Sequence, residues 1–495
     1  MERTTSVHGP SLALLTDLYQ LTMASGYFAL DRAGDEAVFN LFFRKHPFAG
    51  EYTVAAGLEQ AIDYLEALRF DADDLAYLST LTGNDGQPLF TRAFLDHLGA
   101  MRFACDVDAA PEGTVVFPHE PLLRIRGPLI QCQLVETPLL NIINFSTLIA
   151  TKAARICAAA QGEPVLEFGL RRAQGIDGAL SASRAAYVGG CAATSNCLAG
   201  KRYGIPVKGT HAHSWVMSFS DELEAFDAYA RALPNNCVFL VDTYDTVEGV
   251  RKAIEVGRAL RARGHEMVGV RLDSGDLAEL SKRARALLDA GGFPGASIVA
   301  SNDLDEYEIK KLKERGATIA VWGVGTRLAT AYDQPALGGV YKLAAIRQGG
   351  GAWAPKVKLS EQSIKVSNPG VQQVRRFTDA AGAPIADLIF EEGLGAGRVG
   401  ARLDDPTRAL VVPEDATATD LLTPVFRDGA RVYEPPPLAD VRDRAARELA
   451  AMRARLDTLE APARYPVGLE RRLAELKAEL IARARADSSP ASTKA

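Results

Sequence analysis

Met267-Val268-Gly269-Val270-Arg271-Leu272-Asp273-Ser274-Gly275-Asp276-Leu277 is a short apolar run that breaks into a polar, glycine-bearing turn. An amphipathic stretch follows to Leu288, with Gly291 just beyond it. Such a run fits a strand covered on both faces, and apolar residues at helical spacing before a glycine fit a helix and its stop. The unit recurs in both directions. Strands are expected from Pro164 to Phe168, Ile205 to Gly209, Val238 to Asp242, Met267 to Leu272, Ser297 to Ala300, Ile319 to Trp322 and Val340 to Ile346. Helices are expected from Val247 to Arg263, Leu277 to Leu288 and Glu306 to Arg315. This alternation implies parallel strands with right-handed crossovers, in an open sheet or a barrel, and an irregular parallel α/β barrel is the favoured form.

Polar residues cluster where these strands end. Glu167 and Arg171, Gly209-Thr210-His211-Ala212-His213, Asp242, Arg271 and Asp273, Ser301-Asn302-Asp303, and Gly323-Val324-Gly325-Thr326 all sit at or just past the ends of successive strands. In a parallel barrel those ends share the face that carries chemistry. A single residue of this kind reads as a cap or turn residue; six such turns in succession read as a site.

The chain has 495 residues with 47% hydrophobic content, more than one compact core usually holds, so several domains are expected. The boundaries read as 1–135 for the N-terminal part of an α+β accessory domain and 136–350 for the catalytic barrel. They continue as 351–435 for the C-terminal part of the accessory domain and 436–495 for a helical segment with a disordered tail from Asp487. In the flanks, helices are expected from Ser11 to Tyr27, Leu58 to Leu68, Leu438 to Leu456 and Leu469 to Ala484, and strands from Glu36 to Phe43, Gly113 to Phe117 and Leu122 to Gly127.

A net charge of -6 argues against nucleic-acid or anionic-membrane partners. Met1 to Ser6 carries no basic segment leading into an apolar run, and the apolar stretch from Leu139 to Ala150 reads as too short for a bilayer, so a cytoplasmic protein is expected. Six cysteines without metal-ligand spacing read mostly as buried thiols.

Two histidines in one turn call for separate readings. His211 reads as structural. His213 precedes Ser214 and an apolar helical start, so its ring can sit where backbone N–H groups attract phosphate, and a neutral imidazole there can attack phosphorus. Gly323 and Gly325 either let the backbone approach a phosphate or serve turn geometry. Period-two alternation puts Arg271 and Asp273 on one side of their strand. They form either a structural ion pair or a site in which Arg271 grips a planar carboxylate while Asp273 and Asp276 hold magnesium or oppose positive charge.

Seven stretches together resemble one family. Leu14-Leu15-Thr16-Asp17-Leu18-Tyr19-Gln20-Leu21-Thr22-Met23, Glu167-Phe168-Gly169-Leu170-Arg171-Arg172-Ala173-Gln174-Gly175, Gly209-Thr210-His211-Ala212-His213-Ser214, Val241-Asp242-Thr243-Tyr244-Asp245, Arg271-Leu272-Asp273-Ser274-Gly275-Asp276-Leu277, Ala300-Ser301-Asn302-Asp303 and Gly323-Val324-Gly325-Thr326 are similar to nicotinate phosphoribosyltransferases, in the family's order. The resemblance implies a type II phosphoribosyltransferase-like barrel, incomplete, with an accessory domain built from both chain ends. It implies a head-to-tail homodimer in which Tyr19 serves the partner's site. It further implies that nicotinate joins phosphoribosyl pyrophosphate while ATP is hydrolysed through phosphorylated His213, with magnesium as cofactor. Tyr19, Thr210 and Arg271 would contact nicotinate, and Thr326 with Gly325 would bind phosphoribosyl pyrophosphate. Phe168, Arg171, Ser301, Asn302 and Gly323 would complete the substrate site, while Asp242, Asp273 and Asp276 would act on the sugar, the last two as metal candidates. Nicotinamide or quinolinate phosphoribosyltransferase, or a non-catalytic binder of NAD-pathway metabolites, are the competing readings.

Overall fold

The computed structural model describes residues 12–362, 365–456 and 464–488. The chain divides into two compact units, one contiguous from Leu148 to Pro335 and one built from both flanks, up to Thr147 and from Ala336.

In the contiguous unit six parallel strands form, consecutive ones joined by at least one helix that carries the chain back. They are Val165–Glu167, Ala193–Thr194, Val238–Leu240, Gly269–Leu272, Ser297–Ser301 and Val321–Val324. Across the sheet they lie with Ala193–Thr194 at one edge, then Val165–Glu167, Val321–Val324, Ser297–Ser301 and Gly269–Leu272, with Val238–Leu240 at the other edge. Every neighbouring pair is parallel. Val165, Phe239, Val270, Ile298, Ala300, Trp322 and Val324 are buried, as expected of parallel strands covered on both faces.

The expected strand from Ile205 to Gly209 makes one parallel bridge, Val207 to Thr194. Pro206 has no N–H to give a ladder, although its carbonyl accepts the Thr194 N–H at 3.0 Å. A few residues on, His211 Nε2 accepts the backbone N–H of Leu240 at 3.2 Å, on the opposite edge strand. The segment therefore crosses from one edge of the sheet to the other. The result is an irregular barrel whose last seam is bridged by a degenerate strand and one imidazole.

The other unit holds a seven-stranded antiparallel sheet in which Glu36–Phe42 pairs with both Leu123–Pro128 and Val340–Arg347, and Asp106–Ala109 pairs with Thr423–Arg427. The run from Val340 to Ile346, expected among the barrel strands, thus belongs here. Its alternation marks a strand but carries no information about the sheet. A second, six-stranded sheet contains Gln372–Thr378 and Pro384–Glu391. Val467–Glu470 joins it parallel to Pro384–Glu391, so the start of the expected last helix is a strand and the helix runs Arg471–Ser488. That helix includes Asp487 and Ser488, where a disordered tail is expected from sequence; 489–495 lie outside the described residues, as does the Met1 to Ser6 segment. The expected first helix also begins late, at Leu18–Ala29, with Ser11 outside the described residues.

Helix Leu438–Leu456 docks on this unit. Gly113 has φ +85°, and a Cβ there would lie 2.6 Å from the Val441 carbonyl, so only glycine admits so close a helix. Arg376, 5% exposed, ties the helix in by ion pairs to Glu448 at 2.9 Å and to the fully buried Asp387 at 2.7 Å.

The apolar stretch read as too short for a bilayer is part of a longer helix, Glu136–Ala160, which has the length and composition to cross one. Its most apolar window is 61% buried inside the protein. It also carries Lys152, fully buried and paired with Glu306 at 2.7 Å and Asp333 at 2.6 Å. These are features of a core helix.

Candidate active site

Arg271, the third residue of strand Gly269–Leu272, organises the barrel's polar end. Its Nη1 donates to Thr210 Oγ1 at 3.1 Å, its Nε to Ser301 Oγ at 2.9 Å and its Nη2 to Asp273 Oδ1 at 3.0 Å. Ser301 also donates to Asp273 Oδ1 through a very short hydrogen bond. Two strand ends and the seam segment therefore meet at one guanidinium. Burial pushes the Asp273 carboxyl upward, but the Ser301 hydroxyl and the Arg271 charge outweigh it and hold that group below the usual carboxylate range.

Asp242 stands on the next strand end, where its Oδ2 accepts the Asp273 N–H at 2.8 Å and the Ser274 hydroxyl at 2.6 Å. Its Oδ1 is buried and has no hydrogen-bond partner among the described residues. His213 opens a short helix, His213–Met217, at the rim. Its Nδ1 lies 3.1 Å from Thr243 Oγ1 and its Nε2 is 3.8 Å from Asp273 Oδ2.

Phe168 lies under this array, with the Arg271 guanidinium 5.9 Å from its ring centroid. Gly323 makes that possible, because a Cβ there would come within 2.8 Å of the Phe168 ring. Gly169 lets the following turn press on the Gly325 loop: its Cβ would stand 2.3 Å from that of Ala329 and 3.0 Å from the Gly325 carbonyl. Thr326 begins the turn Thr326–Ala329, and Arg171 is exposed in the turn Leu170–Arg172. Asn302 is exposed with φ +131°, a strained backbone next to the buried Ser301.

Asp276 is placed differently. Its Oδ1 caps helix Leu277–Ala290, and its Oδ2 pairs with Arg315 at 2.6 Å. No group of three or more metal-type side chains occurs among the described residues. His211 is structural: burial lowers its pKa to about 4, and the neutral ring donates from Nδ1 to the Ala212 carbonyl while Nε2 accepts at the seam.

A guanidinium with a hydroxyl, two carboxylates, an aromatic floor and a nearby imidazole can hold a small planar acid beside a charged sugar. Family sequence models match along the chain: the nicotinate phosphoribosyltransferase N-terminal domain over residues 14–144, the family itself over 164–378 and its C-terminal domain over 371–477. The chain belongs to the nicotinate phosphoribosyltransferase family. The nicotinate phosphoribosyltransferase of Bacillus subtilis is 43% identical, covering 93% of each chain, and that of Homo sapiens is 36% identical, covering 95% of this chain and 96% of the relative. The crystal structure of human nicotinic acid phosphoribosyltransferase superposes with a TM-score of 0.81 at 34% identity, over 94% of this chain and 99% of that one. The nicotinate-nucleotide pyrophosphorylase of Pyrococcus furiosus, at 22% identity and a TM-score of 0.69 over 92% and 99%, shares the fold.

A nicotinate phosphoribosyltransferase handles polyanions, and the flanking unit holds cations that sequence reasoning missed. Arg44 and Lys358 both lie within electrostatic range of Lys342, and Arg44 and Lys477 act on His119. Burial and the neighbouring positive charges lower the Lys342 pKa, while Glu136 opposes them. Glu136 also raises the pKa of Tyr19, behind burial as the main cause, so tyrosine and cations share one neighbourhood of that unit. They come from distant stretches of chain, and no local motif announces them.

Proposed function

We propose that this enzyme makes nicotinate mononucleotide from nicotinate and phosphoribosyl pyrophosphate, and that ATP is hydrolysed alongside through phosphorylated His213. The observation that carries the substrate assignment is the state of Arg271. Three of its five N–H groups are engaged, which leaves one on each terminal nitrogen for an incoming carboxylate. A neutral amide would offer them a single carbonyl oxygen without the opposite charge, and quinolinate would need further cations for its second carboxylate.

In the reaction the pyridine nitrogen bonds to the anomeric carbon as the bond to pyrophosphate breaks, and pyrophosphate leaves with the electron pair. Asp242 and Asp273 face the positive charge that builds on the sugar, and Phe168 with Thr210 keeps the pyridine in line. Gly323, Gly325, Thr326, Arg171 and Asn302 take the phosphate end. Magnesium fits the unpartnered Asp242 oxygen together with substrate phosphates, the pattern this ion favours, and when bound it neutralises charge on the leaving group. Asp276, committed to a cap and an ion pair, is left outside the chemistry.

The exposed Tyr19 and the cations near Glu136 suit a head-to-tail homodimer in which one subunit's flanking unit serves the partner's barrel. Free cysteines suit a cytoplasmic enzyme that draws on ATP there. Purified enzyme given nicotinate, phosphoribosyl pyrophosphate, magnesium and ATP should yield nicotinate mononucleotide by mass spectrometry. His213→Ala should abolish nicotinate-stimulated ATP hydrolysis with the fold intact; ATP turnover at the unaltered rate in that variant would remove His213 from the reaction.

A further inference from the structure

Thr243 lies just past the strand Val238–Leu240, beside Asp242, and nothing in the chemistry above uses it. Its hydroxyl oxygen is 3.1 Å from Nδ1 of His213, while the ring's other nitrogen faces Asp273 at 3.8 Å. The His213 side chain is 40% exposed, and Thr243 and Asp273 are the polar side chains that face its two nitrogens. A neutral imidazole carries one proton, and the nitrogen without it is the nucleophile. The Asp273 carboxylate favours that proton on Nε2. The Thr243 O–H then donates to the bare Nδ1.

We propose that Thr243 is a positioning residue for phosphoryl transfer from ATP to His213, holding the imidazole in one orientation and one tautomer. This deepens the phosphohistidine reading and rests on it. As the new N–P bond forms, the bond from phosphorus to the ADP oxygen breaks and ADP leaves with the electron pair. The positive charge arriving on the ring faces Asp273. The Thr243 hydroxyl, displaced from the nitrogen, turns to a phosphoryl oxygen. Without it the ring samples rotamers in which neither nitrogen is aligned, and attack slows although ATP still binds.

The test compares Thr243→Val and Thr243→Ala, which lack the hydroxyl, with Thr243→Ser, which keeps it. Acid-labile phosphate taken up from γ-labelled ATP is followed together with steady-state ATP hydrolysis, and thermal melting confirms that each variant folds. Both hydroxyl-free variants should lose about ten- to a hundredfold in kcat for phosphoryl uptake, with KM for ATP within about threefold, and Thr243→Ser should return to within about threefold of the unaltered enzyme. Uptake at the unaltered rate in the valine and alanine variants, or a serine variant as slow as they are, overturns the proposal while leaving the phosphohistidine reading intact. If the unaltered enzyme takes up no acid-labile phosphate, or takes it up elsewhere than His213, that reading falls and the role of Thr243 falls with it.

Discussion

Arg271 has its plane set before any ligand arrives, and Ser301 does much of the setting. The Ser301 hydroxyl accepts from Arg271 and donates to Asp273 in a site where the residue is 5% exposed. Ser301→Ala leaves a guanidinium N–H without its acceptor and the carboxylate with one donor fewer. KM for nicotinate is expected to rise about five- to twentyfold with a smaller change in kcat. Because the Ser301 hydrogen bond helps hold the Asp273 pKa down, the acid limb of the rate profile should also move to higher pH. Steady-state kinetics across the acid range check both; an unchanged KM would mean that Arg271 needs no such setting. At this scale the sequence is informative wherever a polar residue ends an apolar strand, which is how Thr210, Asp242, Arg271, Asp273 and Ser301 can be singled out. It cannot separate Asp276 from Asp273, since only the fold reveals that one carboxylate turns outward to cap a helix and meet Arg315.

Among the elements, the seam closed by His211 is the least regular part of the barrel and the one most exposed to acid. The folded protein holds the His211 pKa near about 4, chiefly by burial, against an ordinary value of 6.5. The unfolded chain therefore takes up the proton first as pH falls. The resulting stability is fully present above pH 6.5 and is lost on the way down to about 4, at most about 3 kcal/mol in all. His211→Gln keeps an acceptor but cannot titrate, so its denaturation midpoint should fall less steeply than that of the unaltered protein between those limits. Parallel curves would show that the imidazole contributes nothing to acid lability. Buried His46 and His119, with pKa values lowered to about 3 and about 4, give both proteins a common slope, which the comparison removes. Barrel strands such as Gly269–Leu272 and Ser297–Ser301 are legible because a doubly covered strand keeps an apolar run between its polar ends. The two-residue strand Ala193–Thr194 is too short to leave a pattern, and Val207 has the right composition beside a proline that breaks the ladder.

For the whole molecule, the proposed head-to-tail pair makes a quantitative prediction. Tyr19→Ala and Asp273→Ala chains, each inactive alone, should regain about a quarter of full activity when co-expressed in equal amounts, because half the dimers then carry one intact composite site. Activity no higher than the separate variants would place Tyr19 and Asp273 of the same chain in one site, or Tyr19 outside it. That both flanks share one unit is suggested by their common mixture of short strands and helices and by the resemblance, but no local pattern records that Glu36 will meet Arg347, 311 residues later. That separation has a cost during synthesis. At about 5–20 residues per second, strand Glu36–Phe42 meets Leu123–Pro128 early but leaves the ribosome some 15–60 s before its other neighbour, Val340–Arg347, exists, whereas the barrel's own strands emerge in one continuous stretch. The amino-terminal third of a nascent chain must therefore wait with its sheet edges bare, and a ribosome stalled before residue 340 would release a finished barrel attached to a sticky, half-made companion.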